Sequence, residues 1–301
     1  MEERTFTDTH GVEVSSRWWM IDAPRAVVLV AHGASEHSGR YDRFARALND
    51  AGFAAVAIDH RGQGRTSEVT GVGVLGPGGG AAVVTDLVEL GARARAEAGG
   101  APLVLFGHSL GALIGLGYLA EHSSTVAAAV LCGFPIDPSG AVVMAELLQG
   151  AVDAGMGDDP MDALSANNEP FEPARTPFDW LSRDPDEVDA YLADPYCGDA
   201  HPLSYGYFAG IAGVLAPAMG RLDAIGCPVF VIAGDRDPAA GMGAHPKALV
   251  DALRAAGVDA SLRLYPEARH ELLNDHCREQ ALRDLVDWLT QRATQAAQRE
   301  A

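Results

Sequence analysis

Six short, almost uninterrupted apolar runs alternate along the chain with segments whose apolar residues recur at helical spacing. Runs without polar alternation are typical of parallel strands that helices cover on both faces. The strand-like runs are AVVLVAHG, FAAVAIDH, PLVLFGHS, VAAAVLCG, CPVFVIAGD and ASLRLYP. The helix-like segments between and after them are YDRFARALNDAG, GAAVVTDLVELGARARAEAG, LGALIGLGYLAEH, HPKALVDALRAAG and CREQALRDLVDWLTQR. The alternation predicts an α/β fold with a mostly parallel central sheet, preceded by an N-terminal β-hairpin.

One region, residues 134–205, interrupts the alternation. It is acidic and proline-rich and contains no strand-like run. Because a structureless loop of this length is uncommon in a compact domain, we expect a helical insertion that packs as a lid over the carboxyl edge of the sheet. The predicted organisation is a core formed by residues 1–133 and 206–301, with the lid between its two parts.

The charge of the chain excludes several classes of partner. Lys and Arg number 22 against 41 Asp and Glu, which gives a formal net charge of −19. Nucleic-acid binding requires a basic surface that displaces counterions, so it is excluded, and docking on anionic membranes is weakened to transient contact at most. No apolar run approaches the roughly 20 residues of a membrane span, and the N-terminus does not resemble a secretory signal. The predicted location is the cytoplasm.

The cysteine and histidine spacings indicate neither a disulfide framework nor a metal site. The four cysteines are isolated, without any CxxC pair, and are interpreted as small buried hydrophobes. None of the histidines pairs with another at i,i+4 as a helical metal site would require. We therefore predict no metal and no cofactor.

The segment Gly107–Gly111, with Ser109 at its centre, lies between a strand-like run and a helix-like segment. A side chain at the apex of a sharp strand-to-helix turn requires positive φ and neighbours without bulk, which the two glycines provide. A serine that only caps the helix is the alternative explanation of this sequence pattern. The flanking strand and helix favour a nucleophile.

A serine nucleophile needs a base and a carboxylate that orients it, which in this kind of sheet follow in the order serine, acid, histidine. His270 follows the last strand-like run, and both Asp235 and Asp237 follow the one before it. We favour Asp237 because it lies further beyond the strand, whereas Asp235 is suited to capping the turn. Asp137 is a third candidate.

An oxyanion hole requires two preorganised backbone N–H donors. One is predicted to be the amide of Leu110, at the start of the helix. The second is assigned to Ala34, because Gly33 before it lets the turn after the first strand-like run fold close to a substrate.

Five stretches of the chain resemble motifs of one known family: HGASEHSGRYDRFA, AIDHRGQGRTS, FGHSLGA, WLSRDPDEVDAYLADP and YPEARHELLND. They are similar to motifs of the monoacylglycerol lipase and lysophospholipase group, of the serine aminopeptidase S33 type, in the α/β-hydrolase superfamily. The resemblance runs from about Phe6 to Leu289 and implies the α/β-hydrolase fold with a helical lid. In the family pattern the acid is the third residue after the glycine that closes the late strand, which is Asp237.

The resemblance also implies substrate-binding residues. The family uses the arginine of SGRY, here Arg40, near the alcohol-binding end of its pocket, and Gly33 and His108 are the other predicted contacts. A structural ion pair of Arg40 with Glu36 or Asp42 is the alternative. Animal members carry a second histidine three residues after the catalytic one, where this chain has Leu273, so that part of glycerol recognition is not carried over.

The expected function is hydrolysis of a small carboxylic ester or lipid, and the resemblance implies a monoacylglycerol or lysophospholipid. A thioesterase, an acyltransferase or an esterase for small xenobiotic or secondary-metabolite esters is the alternative, and a non-catalytic ligand-binding protein is the remote one. The lid residues that are candidates for an acyl pocket are Met156, Met161, Phe171, Phe178 and Trp180, although most residues of this kind are simply core.

Overall fold

The computed structural model describes residues 1–162 and 164–300, whose strands form one sheet of eight in the order β1-β2-β4-β3-β5-β6-β7-β8. β1 pairs antiparallel with β2 and β2 with β4, and the remaining neighbours are parallel. The predicted hairpin and all six predicted strands are present. The strands are β1 (Glu2–Thr7), β2 (Glu13–Trp19), β3 (Val27–Ala31), β4 (Ala54–Ile58), β5 (Leu103–His108), β6 (Ala128–Cys132), β7 (Val229–Gly234) and β8 (Ala260–Tyr265).

Helices cover both faces of the sheet, which explains the uninterrupted apolar runs. In β3, for example, Leu29 belongs to the core cluster on one face and Val30 to the cluster on the other. The helices are α1 (Asp42–Asp50), α2 (Ser67–Thr70), α3 (Gly79–Glu97), α4 (Leu110–His122), α5 (Ala141–Ala151), α6 (Pro185–Ala193), α7 (Tyr205–Met219), α8 (Ala244–Ala255) and α9 (Arg278–Glu300). Within the described residues, no helix has the length and apolar character to cross a membrane.

The segment between β6 and β7 is helical. In its described part, residues 134–205 form α5, α6 and short 3₁₀ or π turns, and the only strand-like pairing is an isolated bridge between Pro160 and Ser204. The sequence analysis missed α7, which begins at the predicted lid boundary and packs on α5 as well as on α3 and α4. Almost every residue of α7 is apolar or small, so no polar face marks the segment as an amphipathic helix.

The turn from β5 into α4 is a single residue long and depends on two glycines. Ser109 at its apex has φ 53° and ψ −117°. A Cβ on Gly107 would overlap the carbonyl oxygen of Gly111, and a Cβ on Gly111 would overlap that of Ala31. The first turn of α4 can therefore approach β3 and β5 only because both positions lack side chains.

We predict that Gly111→Ala destabilises the fold by about 1–3 kcal/mol, since the added methyl must displace backbone rather than a flexible side chain. Gly213→Ala is the matched control, because a Cβ on this helical glycine meets nothing within 4 Å. We expect the control to be neutral or stabilising. Urea unfolding followed by circular dichroism compares the two, and equal midpoints for both variants would contradict this account of the turn.

Candidate active site

The structure brings Ser109 to one end of an apolar cavity. The half-buried serine follows β5 at the carboxyl edge of the sheet, and its N–H donates to the carbonyl of Cys132 at 2.9 Å. Ser109, Leu110 and Ala34 all line the cavity, which has a volume of about 260 Å³. The predicted nucleophile and both predicted oxyanion donors thus border one space.

His270 and Asp237 are paired and buried at the same edge. His270 Nδ1 lies 2.8 Å from Asp237 Oδ2, and the two side chains are 2% and 0% exposed. The Asp237 carboxylate accepts a hydrogen bond from the Nδ1–H of His270, so Nε2 carries no proton and can act as a base. Burial lowers the pKa of His270, but the carboxylates of Asp237, Glu271 and Glu36 together outweigh this effect and the net pKa is raised above 6.5.

The two other candidate acids lie in different surroundings. Asp235 Oδ1 accepts the backbone N–H of Glu267 at 2.7 Å and so ties the β7 and β8 loops together. The exposed Asp137 caps a short 3₁₀ turn by accepting the N–H of Ser139 at 2.9 Å. Among the three aspartates, Asp237 is the one that His270 contacts.

Two aromatic rings hold the imidazole of His270. The ring centroids of Trp180 and His108 each lie 4.8 Å from the ring centroid of His270. The backbone N–H of His270 also donates to the backbone carbonyl of Trp180 at 3.4 Å. Burial and the neighbouring His270 lower the pKa of His108 to about 4, so this ring is neutral near pH 7. Trp180 also lines the cavity and therefore contacts both His270 and this space.

The turn after β3 packs directly against Ser109. A Cβ on Gly33 would lie 3.3 Å from Ser109 Cβ, so a larger residue there would crowd the serine. Within the described residues, the amides of Ala34 and Leu110 donate to no other protein group. Two unpaired N–H groups beside one serine are the feature required of an oxyanion hole.

Buried polar side chains fix the shape of this turn. His32 Nε2 accepts the N–H of His60 at 3.0 Å, so its Nδ1 carries the proton and donates to the carbonyl of Gly33 at 2.8 Å. Gln63 Oε1 accepts the N–H of Ser35 at 2.7 Å. We call residues 33–36 the oxyanion loop; its backbone is held by these side chains and by the backbone N–H of Gly198, which donates to the carbonyl of Ser35 at 3.0 Å.

Arg40 is part of a buried ion-pair cluster. Its guanidinium donates to Glu36 at 2.9 Å and to both carboxylate oxygens of Glu271 at 2.5 and 2.8 Å. The predicted alternative of a pair with Glu36 is therefore present, whereas Asp42 pairs with Arg46 instead. Arg40 does not line the apolar cavity. Its predicted contact with substrate, and those of Gly33 and His108, stay predictions.

The cavity walls correct the predicted acyl-pocket residues. Met161 and Trp180 line the cavity, but Met156, Phe171 and Phe178 do not. Phe171 and Phe178 pack instead in a separate hydrophobic cluster within the insertion. The sequence analysis also missed side chains of α5 and α7 that form much of the wall: Met144, Leu148, Phe208, Ile211, Ala212 and Leu215.

One cluster of metal-ligand residue types lies away from Ser109. His37, Asp194 and Cys197 place their ligand atoms within 4.8 Å of one another. Both ring nitrogens of His37 are already engaged, one by the N–H of Gly39 and the other by Asp194. Burial raises the pKa of Cys197, so the group is a thiol here. The cluster is therefore a hydrogen-bonded link between a loop and the insertion.

The comparisons with known proteins agree with this architecture. The sequence profile of the family described as serine aminopeptidase, S33, matches residues 22–277. A monoacylglycerol lipase of Mycolicibacterium smegmatis is 31% identical over 302 residues, covering 95% of this chain and 96% of that protein. A thermostable carboxyl esterase from Bacillus coagulans, solved with glycerol, has a TM-score of 0.89 at 27% identity and covers 97% of this chain and 98% of its own. A lipase solved in an open form has a TM-score of 0.82 at 29% identity, with coverages of 97% and 99%. The chain belongs to the serine aminopeptidase S33 family and has the α/β-hydrolase fold.

Proposed function

We propose that the protein hydrolyses monoacylglycerols and other neutral carboxylic esters through Ser109, His270 and Asp237. That the chain is a serine ester hydrolase follows from its family and from its lipase and esterase relatives. The observation that carries the assignment of residues is the paired His270 and Asp237 beside a strained serine at the end of an apolar cavity.

In the proposed acylation step, Ser109 Oγ attacks the acyl carbonyl while His270 Nε2 takes the serine proton. Asp237 keeps the proton on Nδ1 and stabilises the imidazolium. The carbonyl oxygen becomes an oxyanion that accepts hydrogen bonds from the amides of Ala34 and Leu110. When the tetrahedral intermediate collapses, the ester C–O bond breaks and the alcohol leaves with the proton from Nε2.

In the proposed deacylation step, water replaces the alcohol. His270 Nε2 takes a proton from the water as its oxygen attacks the acyl carbonyl, and the same two amides hold the second oxyanion. Collapse breaks the bond to Ser109 Oγ, which regains its proton from Nε2. The products are the free carboxylic acid and the unmodified enzyme, so the cycle needs only these side chains and water.

The shape and polarity of the cavity support an ester with an apolar acyl chain. Its wall is almost entirely apolar, and Asn167 is its one amide side chain among the described residues. Apolar walls with a few polar groups at one end bind an aliphatic chain and direct its polar end to those groups. Several relatives are named monoacylglycerol or monoglyceride lipases, which supports glycerol as the alcohol.

We predict that Ser109→Ala abolishes ester turnover, with a loss on the order of a millionfold, because the triad acts as a unit. The fold should persist, since a hydroxyl is removed without adding bulk. Hydrolysis of a monoacylglycerol and labelling by a fluorophosphonate are measured alongside the unfolding midpoint. Residual activity above about one per cent of the wild-type rate would mean that Ser109 is not the nucleophile.

We predict that Asp237→Asn lowers kcat by about 10⁴, because the imidazole loses the carboxylate that fixes its tautomer. Asp235→Asn is the matched control in the same loop. It should cost far less, because its carboxylate accepts a backbone N–H and does not touch His270. Steady-state kinetics of both variants decide between them, and a larger loss for Asp235→Asn would reassign the acid.

We predict that neutral monoacylglycerols are hydrolysed faster than anionic lysolipids of equal chain length. The chain has a formal net charge of −19, and the two arginines of the insertion, Arg175 and Arg183, are already paired with Asp189 and Asp275. A negative headgroup therefore meets a repulsive field that salt screens over about 8 Å. The measurement is kcat/KM for a matched pair at low and high salt. A preference for the anionic lipid that grows at low salt would refute this.

A further inference from the structure

The two loops that carry the oxyanion donor and the base begin far apart in the sheet. The oxyanion loop follows β3 and the loop of His270 follows β8, with β5, β6 and β7 between them. At the usual spacing of neighbouring strands, the two strands lie about 19 Å apart. No direct strand pairing joins β3 to β8, so contacts beyond the strand ends also contribute to the distance between these two loops.

The guanidinium of Arg40 spans the gap between the two loops. It donates to Glu36 in the oxyanion loop at 2.9 Å and to both oxygens of Glu271 at 2.5 and 2.8 Å. The Arg40, Glu36 and Glu271 side chains are only 11%, 4% and 6% exposed. Arg40 also lies over the ring of Tyr191 at 4.8 Å, which fixes the plane of the guanidinium. A buried, bidentate arginine pair is geometrically specific.

Each of the two glutamates is tied to a proposed catalytic group, Glu36 through its carboxylate and Glu271 through its place in the chain. Glu36 Oε1 accepts the N–H of Gly33 at 2.5 Å, in the residue before the proposed donor Ala34. Glu271 follows His270 directly, and its own N–H donates to the carbonyl of Leu181 at 2.8 Å. Moving either carboxylate therefore moves a donor or the base of the proposed mechanism.

We propose that Arg40 is a positioning residue, which sets the separation between the oxyanion donor and His270 and controls the rate of ester hydrolysis without touching the ester. This inference rests on the proposed function, because it presumes that Ala34 and His270 act on the same ester. It differs from what the family resemblance implies for this arginine, which is a place near the alcohol.

The cluster of Arg40, Glu36 and Glu271 also has an electrostatic effect on His270, which a purely structural role would not produce. Two carboxylates face one guanidinium, which leaves one excess negative charge beside His270. The charged or titratable groups that face His270 are Asp237 from the β7 loop, His108 from the end of β5, Glu36 from the oxyanion loop and Glu271 from its own loop. Asp237, Glu36 and Glu271 favour the imidazolium that forms when Ser109 gives up its proton.

The first test compares two esters of one acid, a monoacylglycerol and the p-nitrophenyl ester, in the Arg40→Lys variant. Lysine keeps the charge but cannot hold two carboxylates in a fixed plane. We expect kcat/KM to fall by about tenfold to a hundredfold, and by the same factor for both esters, because small misplacements are costly whatever the leaving group. Arg46→Lys is the control, since it alters an exposed pair with Asp42 on α1.

A loss confined to the monoacylglycerol and expressed in KM would overturn the proposal, because it would show that Arg40 binds the alcohol. Equal activity of Arg40→Lys and Arg46→Lys would overturn it as well. Failure of the proposed function would look different. In that case Ser109→Ala would keep the wild-type rate in the same assay, whatever the Arg40 variant does.

The second test uses Glu271→Gln, which keeps the shape of the side chain and removes one negative charge. The wild-type kcat/KM should fall on the acid side as His270 is protonated, with a midpoint above pH 6.5 because the pKa of His270 is raised. We expect the variant's midpoint to move down by on the order of half a pH unit or more. Glu89→Gln, which alters an exposed pair on α3, is the control.

A Glu271→Gln profile with the wild-type midpoint would overturn the electrostatic part of the proposal, whatever the loss of rate. This readout holds even where Arg40→Lys folds poorly, because the isosteric amide still accepts a hydrogen bond from Arg40. The unfolding midpoint of each variant is measured in parallel. If the pH midpoint of kcat/KM shifts while the unfolding midpoint stays the same, the result supports an electrostatic effect of Glu271 on His270.

Discussion

The parallel sheet is the constraint on which the site depends. Because every parallel strand ends at the same edge, the loops after β3, β5, β7 and β8 meet there although they are far apart in the chain. Beyond the strand ends, the backbone groups of these loops have no regular hydrogen-bonding pattern. Buried side chains must therefore satisfy and shape the loop backbones, as His32, Gln63 and Glu36 do for residues 33–36.

Sequence reasoning succeeded where a local pattern has a local physical cause. The continuous apolar runs predicted the strands because helices cover both faces, and two glycines around Ser109 predicted a turn that excludes side chains at those positions. It missed α7, because almost every residue of this helix is apolar or small and no polar face marks it as amphipathic. It also missed the contact between Arg40 and Glu271, since residues so distant in sequence are brought together only by the order of the strands.

Charge is distributed in two different ways in this molecule. The excess of acidic residues gives a strongly negative formal charge, whereas Arg40 and Arg183 are matched locally by carboxylates. Arg40 between two glutamates and Arg183 against Asp275 show the local balance. Because buried charges without partners are strongly unfavourable, these arginines serve the internal geometry and leave the long-range field negative.

The side chains that α5 and α7 contribute to the cavity differ in how easily they can be substituted. Side chains of α7 such as Ile211 and Leu215 face the cavity and also belong to the core cluster against α3 and α4, so changing them removes core packing. Met144 and Leu148 on α5 face the same cavity from the insertion and lie outside that core cluster. Divergence in acyl-chain preference among related chains is therefore easier through α5 than through α7.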